Sequence, residues 1–215
     1  MFSRSTMLAL AVAFGAAGLA NPATAACTGG IDVAAAFAKQ REKKAFRMDA
    51  NVISGQGPLK MTVDYVLPDR LHQTVQIIVE QRAIDAVLIG AKAWANEGDG
   101  WREAPADIKD ELERQLTDVA EETSEQVAGF ECLGRELIDG RELAAYKAQE
   151  GPKDMSPDAA SKAPTNETVR IVYVDPATGL PARTVIGRPD KLDRPLYKAI
   201  YSYPDDLKIE PPVVK

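Results

Sequence analysis

Between residues 46 and 79 the apolar side chains recur mostly at every second residue, and that period restricts this part of the chain to a sheet. Phe46, Met48, Ala50 and Val52 alternate with Arg47, Asp49 and Asn51, and Met61, Val63, Tyr65 and Leu67 face away from Thr62 and Asp64. Successive side chains of a strand point to opposite faces, so each run presents one apolar and one polar side. The stretch VDYVLPDRLHQTVQI, residues 63–77, splits two such runs with Pro68-Asp69-Arg70. Proline has no N–H to give to a ladder and Asp favours turns. The break therefore reads as the corner of an antiparallel meander, after which Leu71, Val75, Ile77 and Val79 resume the apolar face.

The same reading extends over the rest of the chain. AIDAVLI (83–89) and AKAWANE (91–97) are strands joined at Gly90. FECLGRELI and RELAAYKAQE flank Asp139-Gly140, a strong two-residue hairpin signal. ETVRIVYV, LPARTVIG and LYKAIYSY follow, with LKIEPP as a short closing strand that Pro211 and Pro212 terminate. Helical spacing appears twice. Ile31–Lys43 is Ala-rich, and Pro105 to about Val127 carries the stripe Ile108, Leu112, Leu116, Val119 and Val127, with Pro105 suited to the first helical position and Gly129 to the C′ position. Residues 151–166, rich in Pro, Ser and Ala, read as a loop. The fold class is α+β, with about eleven mostly antiparallel strands and a concave face buried against helices.

The first 25 residues have the parts of a secretory signal: Arg4, an apolar stretch Met7–Ala20 and the cleavage site Ala23-Thr24-Ala25. Fourteen apolar residues fall short of the roughly 20 that span a bilayer. Residues 26–215 then form a single domain with 25 basic and 32 acidic residues, a net charge of −7. That balance argues against nucleic acid and against anionic lipid headgroups. Cys27 and Cys132, an even pair in an exported chain, read as a disulfide closing a loop of about 106 residues. The rival reading is a lipid-modified Cys27 anchoring the protein, although Thr24 stands where such signals usually carry Leu.

No nucleophile elbow, zinc, phosphate-binding or calcium motif is present in the sequence, and no metal or cofactor is expected. The lone His72 reads as a surface residue, and the chain as a non-enzyme. Trp94 and Trp101 read as a pair packed on the helix starting at Pro105, or as one residue lining a cavity wall and one gating its mouth. Tyr197, Tyr201 and Tyr203 share one strand face.

The motifs VDYVLPDRLHQTV, LIGAKAWANEGDGWREAP, CLGRELIDGRELAAYK and YVDPATGLPARTVIG…IYSYPDDLKIEPP, in that order, resemble periplasmic members of the LolA/LolB/LppX-like superfamily. The resemblance covers most of residues 31–212. It implies a curved half-barrel of about eleven strands with helices as a lid, and a hydrophobic cavity between sheet and lid for lipids or the acyl chains of lipoproteins. It brings no catalytic residues. By alternation, Phe46, Met48, Val63, Tyr65, Val75, Ile77 and Trp94 are the expected inward-facing ligand-binding residues. Two functions remain: a monomeric periplasmic carrier for a hydrophobic ligand, or a ligand-free envelope protein that uses the same sheet to contact a protein partner. Surplus apolar volume between sheet and helices marks the first, and a filled core with an exposed apolar patch the second.

Overall fold

The computed structural model describes residues 28–55, 57–121, 129–150 and 168–214. The expected signal peptide, Cys27, the continuation of the second helix to Val127 and the loop 151–166 lie outside these residues.

Eleven strands form one open antiparallel sheet: β1 (Ala45–Ser54), β2 (Gly57–Val66), β3 (Arg70–Ile77), β4 (Arg82–Ile89), β5 (Lys92–Asn96), β6 (Arg102–Glu103), β7 (Glu131–Ile138), β8 (Arg141–Glu150), β9 (Thr168–Asp175), β10 (Leu180–Gly187) and β11 (Tyr197–Ser202). Their order across the sheet is β6-β5-β4-β3-β2-β1-β11-β10-β9-β8-β7, so two meanders are joined along the β1–β11 ladder. The sheet curves into a half-barrel. Pro68 stands at the β2–β3 corner, and Val66 pairs with Arg70 across it. At the β7–β8 corner Asp139 and Gly140 both have positive φ (50° and 77°), the backbone of a tight two-residue hairpin.

Each helix covers one half of the concave face. α1 (Gly30–Glu42) buries Val33 and Ala36 against Phe130, Tyr146, Ala148, Val172 and Val174. It ends over β11, where Phe37 meets the Tyr201 ring edge-on and buried Gln40 donates to the Tyr203 hydroxyl at 3.1 Å. α2 (Ala106–Ala120) packs Leu112 and Leu116 on the other half, over Phe46, Val63, Tyr65, Leu71 and Leu88. The convex face is polar around β1–β4, where Arg47 grips Asp64 with two bonds of 2.6 and 2.8 Å. Beneath the loop that carries Leu192, the convex side of β8–β10 holds a second apolar layer containing Leu143, Ile171, Tyr173 and Val185.

The count of eleven agrees with the sequence, but two of the assignments behind it differ. Residues 207–212 form no strand. Prolines at 204, 211 and 212 withhold ladder donors, and the tail is held instead by the Arg70 guanidinium, which donates to the Ile209 carbonyl at 2.7 Å. The eleventh strand is β6, two exposed residues with no apolar alternation to announce them. Pro105 is the N-cap of α2, one position before the helix. The described part of α2 ends at Ala120 with Glu121 as its cap, so Gly129 is not next to it.

The start of α1 is fastened to the sheet by one carboxylate. Thr28 donates to Asp32 from its backbone (2.8 Å) and its hydroxyl (2.6 Å), and the Tyr146 hydroxyl adds a third bond at 3.1 Å. Burial raises the Asp32 carboxyl, but the Thr28 and Tyr146 bonds outweigh it and leave it below the usual carboxylate value. Burial first, then the Asp32 contact, pushes the Tyr146 phenol up to about 12. Asp175 is also lowered: burial opposes the shift, and bonds from the Ala177 backbone and Arg141 carry it. A lowered carboxylate stabilises fully above its unfolded value of about 4 and loses that contribution as pH falls through the folded value. The urea midpoint of wild type is therefore expected to drop as pH falls from about 5 towards 2. Asp32→Asn, measured over the same series, should be less stable near neutrality and show a shallower acid decline.

Candidate functional site

Strand register fixes which side chains share the concave face. Phe46 pairs with Tyr65, Met48 with Val63, Val63 with Gln73, Met61 with Val75 and Leu59 with Ile77. Val75 continues to Ile84, and Gln73 to Ala86. α2 crosses these strands from the β5 side, where Ala104 N–H donates to the Ala93 carbonyl, to β2, where Leu112 and Leu116 pack over Val63 and Tyr65.

Beneath α2 the face is filled. Phe46 (1% exposed), Met48, Val63 and Tyr65 (2%) pack with Leu112 and Leu116, and the Phe46 and Tyr65 rings stack at 4.7 Å. Burial, reinforced by Tyr197, Tyr201 and Asp118, drives the Tyr65 phenol far above its ordinary value, with only Gln115 opposing. Tyr197 and Tyr201 do lie on the concave face, opposite Val52 and Met48. Their hydroxyls are engaged with Met48 Sδ and with Thr184, and the Tyr203 hydroxyl donates to the Pro181 carbonyl at 2.6 Å. These groups make up a structural core.

Beside the helix the face is not filled. A cavity of about 240 Å³ opens between α2 and β2–β4, walled by Leu59, Val75, Ile77 and Ile84 from the sheet and Ile108 and Leu112 from the helix, with Ala86 between. Its two polar lining residues are Gln73 and Glu111. The volume exceeds the ~150 Å³ of an engineered apolar cavity that holds benzene and lies just under the ~300–1,000 Å³ of drug-sized sites. It suits a segment of a single hydrocarbon chain.

Of the seven residues expected to line a ligand site, Val75 and Ile77 stand in the wall of this cavity. Phe46, Met48, Val63 and Tyr65 face inward but belong to the filled core. Trp94 is on the other face: it pairs with Val87, which pairs with His72, and both rows are convex. There it lines a polar crevice with Lys92, Glu103 and Lys109. Trp101 lies 6.5 Å from the His72 ring, so the tryptophans neither pack together on α2 nor line the cavity. Leu59, Ile84, Ala86 and Gln73 were missed as lining residues. Leu59 and Ile84 continue the alternation of their strands, which would have found them.

Among the described residues no three His, Cys, Asp or Glu side chains come together as a metal site. No protein-family model matches the chain, and no curated protein sequence matches it. Solved structures do. LprF from Mycobacterium bovis superposes with a TM-score of 0.58 at 9% identity, over 86% of this chain and 97% of that one. The Mycobacterium tuberculosis lipoprotein LppX does so with a TM-score of 0.55 at 11% identity, over 84% and 96%. The chain therefore shares the fold of LprF and LppX, and at these identities the likeness is one of fold.

The two parts of the concave face should respond oppositely to substitution. Phe46→Ala removes a stacked, fully buried ring and is expected to cost about 3–5 kcal/mol. Ala86→Leu places new apolar atoms in the cavity and should leave stability unchanged or raise it by about 1–2 kcal/mol. Urea unfolding of the two variants measures both, and a clear loss in Ala86→Leu would mean the space is not there to fill.

Proposed function

We propose that the protein is a periplasmic, non-enzymatic binding or carrier protein for a hydrophobic ligand, one acyl chain of a lipid or lipoprotein, held between the half-barrel and α2. The observation that carries this reading is the apolar cavity beside α2, with Val75 and Ile77 in its wall. The signal-like N-terminus supports export, and no helix among the described residues is long and apolar enough to cross a membrane. The shared fold with a lipoprotein, LppX, agrees with an envelope setting. Binding is non-covalent: each methylene taken from water stabilises the complex by roughly 0.8 kcal/mol. The alternative, a ligand-free envelope protein with a protein partner, is favoured by one observation, the filled core around Phe46 and Tyr65.

Native mass spectrometry of the protein expressed with its own leader, followed by organic extraction, separates the two. The expected result is a co-purifying acyl compound that is lost in Ile77→Asp and in Ala86→Phe, the second of which fills the cavity without adding charge. A protein that stays ligand-free after incubation with envelope lipids and lipoproteins would sink the carrier reading.

The Cys27–Cys132 disulfide belongs to the same proposal. Gly29 is pressed against β7: a Cβ there would lie 2.3 Å from the Phe130 carbonyl oxygen, so the chain two residues after Cys27 abuts the chain two residues before Cys132. Intact mass under non-reducing conditions should be two hydrogens below that of the reduced protein. Reduction should lower the melting temperature, by the equivalent of at most about 4–5 kcal/mol. A mass increased by acyl chains at Cys27 would instead establish the lipid anchor.

A further inference from the structure

We infer that Gln73 sets the chemical preference of the cavity, by donating a hydrogen bond to the carbonyl oxygen of an uncharged acyl ester or amide. The inference rests on reading the cavity as an acyl-chain site.

Gln73 interrupts an otherwise apolar surface. Along β3 its same-face neighbours are Leu71 and Val75, and across the ladders it faces Val63 on β2 and Ala86 on β4. A side-chain amide among such neighbours loses water without gaining a comparable partner. Its Nε2 donates only to the sulfur of Met61, at 3.4 Å. A thioether is a weak acceptor, and methionine is the most easily rearranged apolar side chain. A ligand carbonyl entering the cavity offers the amide a stronger acceptor than the one it has, and Met61 has the freedom to yield.

The charges around the cavity choose between carbonyl compounds. Among the described residues that line it, there is one carboxylate, Glu111, and no Lys, Arg or His. The Arg114 guanidinium is bound to Glu111 at 2.5 and 2.6 Å, and both side chains are well exposed, so this arginine is already engaged at the surface. A fatty-acid carboxylate lodged beside Gln73 would be desolvated with no cation and would face Glu111. A neutral ester or amide meets neither penalty and uses the same donor.

The test is displacement of the uncharged naphthylamine probe N-phenyl-1-naphthylamine by monolauroylglycerol and by dodecanoate at pH 8, on wild type and on Gln73→Leu. Wild type is expected to bind the ester about tenfold more tightly than the anion. Gln73→Leu should weaken ester binding about fivefold to tenfold, the factor for one neutral hydrogen bond, and leave probe affinity within about twofold. Gln73→Met, of similar volume, supplies the same comparison if the leucine variant folds poorly. Unchanged ester affinity in a variant that still binds probe overturns the role of Gln73, and dodecanoate binding as tightly as the ester overturns the preference for an uncharged carbonyl. If the probe does not bind wild type at all, this inference and the cavity reading fall together.

Discussion

A sheet that does not close leaves its apolar concave face for something else to cover, and the helices, the filled core and the cavity all follow from that. Eleven strands at about 4.8 Å spacing make a surface roughly 50 Å across. Helices of 13 and 15 residues, each about 20 Å long, span nearly that width when laid end to end across the strands. They do not span the other direction. Strands of ten residues run about 33 Å, while one helix is only about 10 Å wide. A single layer of two helices leaves part of each strand uncovered, and the cavity along Leu59, Val75 and Ile77 is such a part.

Side-chain size decides where the space under the helices is filled. On β4 and β5 the buried concave positions are Ala86, Leu88, Ala93 and Ala95, three of the four short, and at Ala86 the space beneath Ile108 and Leu112 stays open. Further along, Leu71, Tyr65 and Phe46 fill the space beneath Leu112 and Leu116. The change from alanine to aromatic tilts no charge and breaks no ladder; it changes how much of the space under the helix is filled. On the α1 side the chain goes further and presses Gly29 against the Phe130 carbonyl, a contact that any Cβ would forbid.

Alternation made the first four strands and the sidedness of Phe46, Met48, Val63, Tyr65, Val75 and Ile77 readable from sequence, because a one-residue slip would turn each apolar set towards water. It misled at Trp94. In AKAWANE the larger apolar residue suggests the inner face, yet the pairing of Val87 with Trp94 and of Ala86 with Ala95 puts the alanines inside. Which side of β5 is concave is fixed by its ladder with β4, a tertiary fact that no local period records. The same gap hid the difference between core and cavity: alternation states which way Met48 and Ile77 point, not whether a helix lies above them. β6 and the C-terminal tail failed for a related reason. Two exposed residues carry no pattern, and extended backbone held by an arginine side chain looks like a strand until its ladder partner is sought.

The uncovered space has an energetic consequence that bears on function. At roughly 24 cal/mol per Å³, a void of about 240 Å³ left dry costs up to about 6 kcal/mol. Water entering past the exposed Glu111–Arg114 pair reduces that figure but leaves the apolar walls wetted. The whole stability of a domain is about 5–15 kcal/mol, so a space of this size is a large fraction of the margin. Closing it would take only larger side chains at Ala86 or Val75, substitutions within reach of ordinary core packing. At about 0.8 kcal/mol per methylene, some seven methylenes of a bound chain offset the upper cost. If an acyl chain binds there as proposed, the protein is most stable with its cavity occupied, and binding and stability rise and fall together.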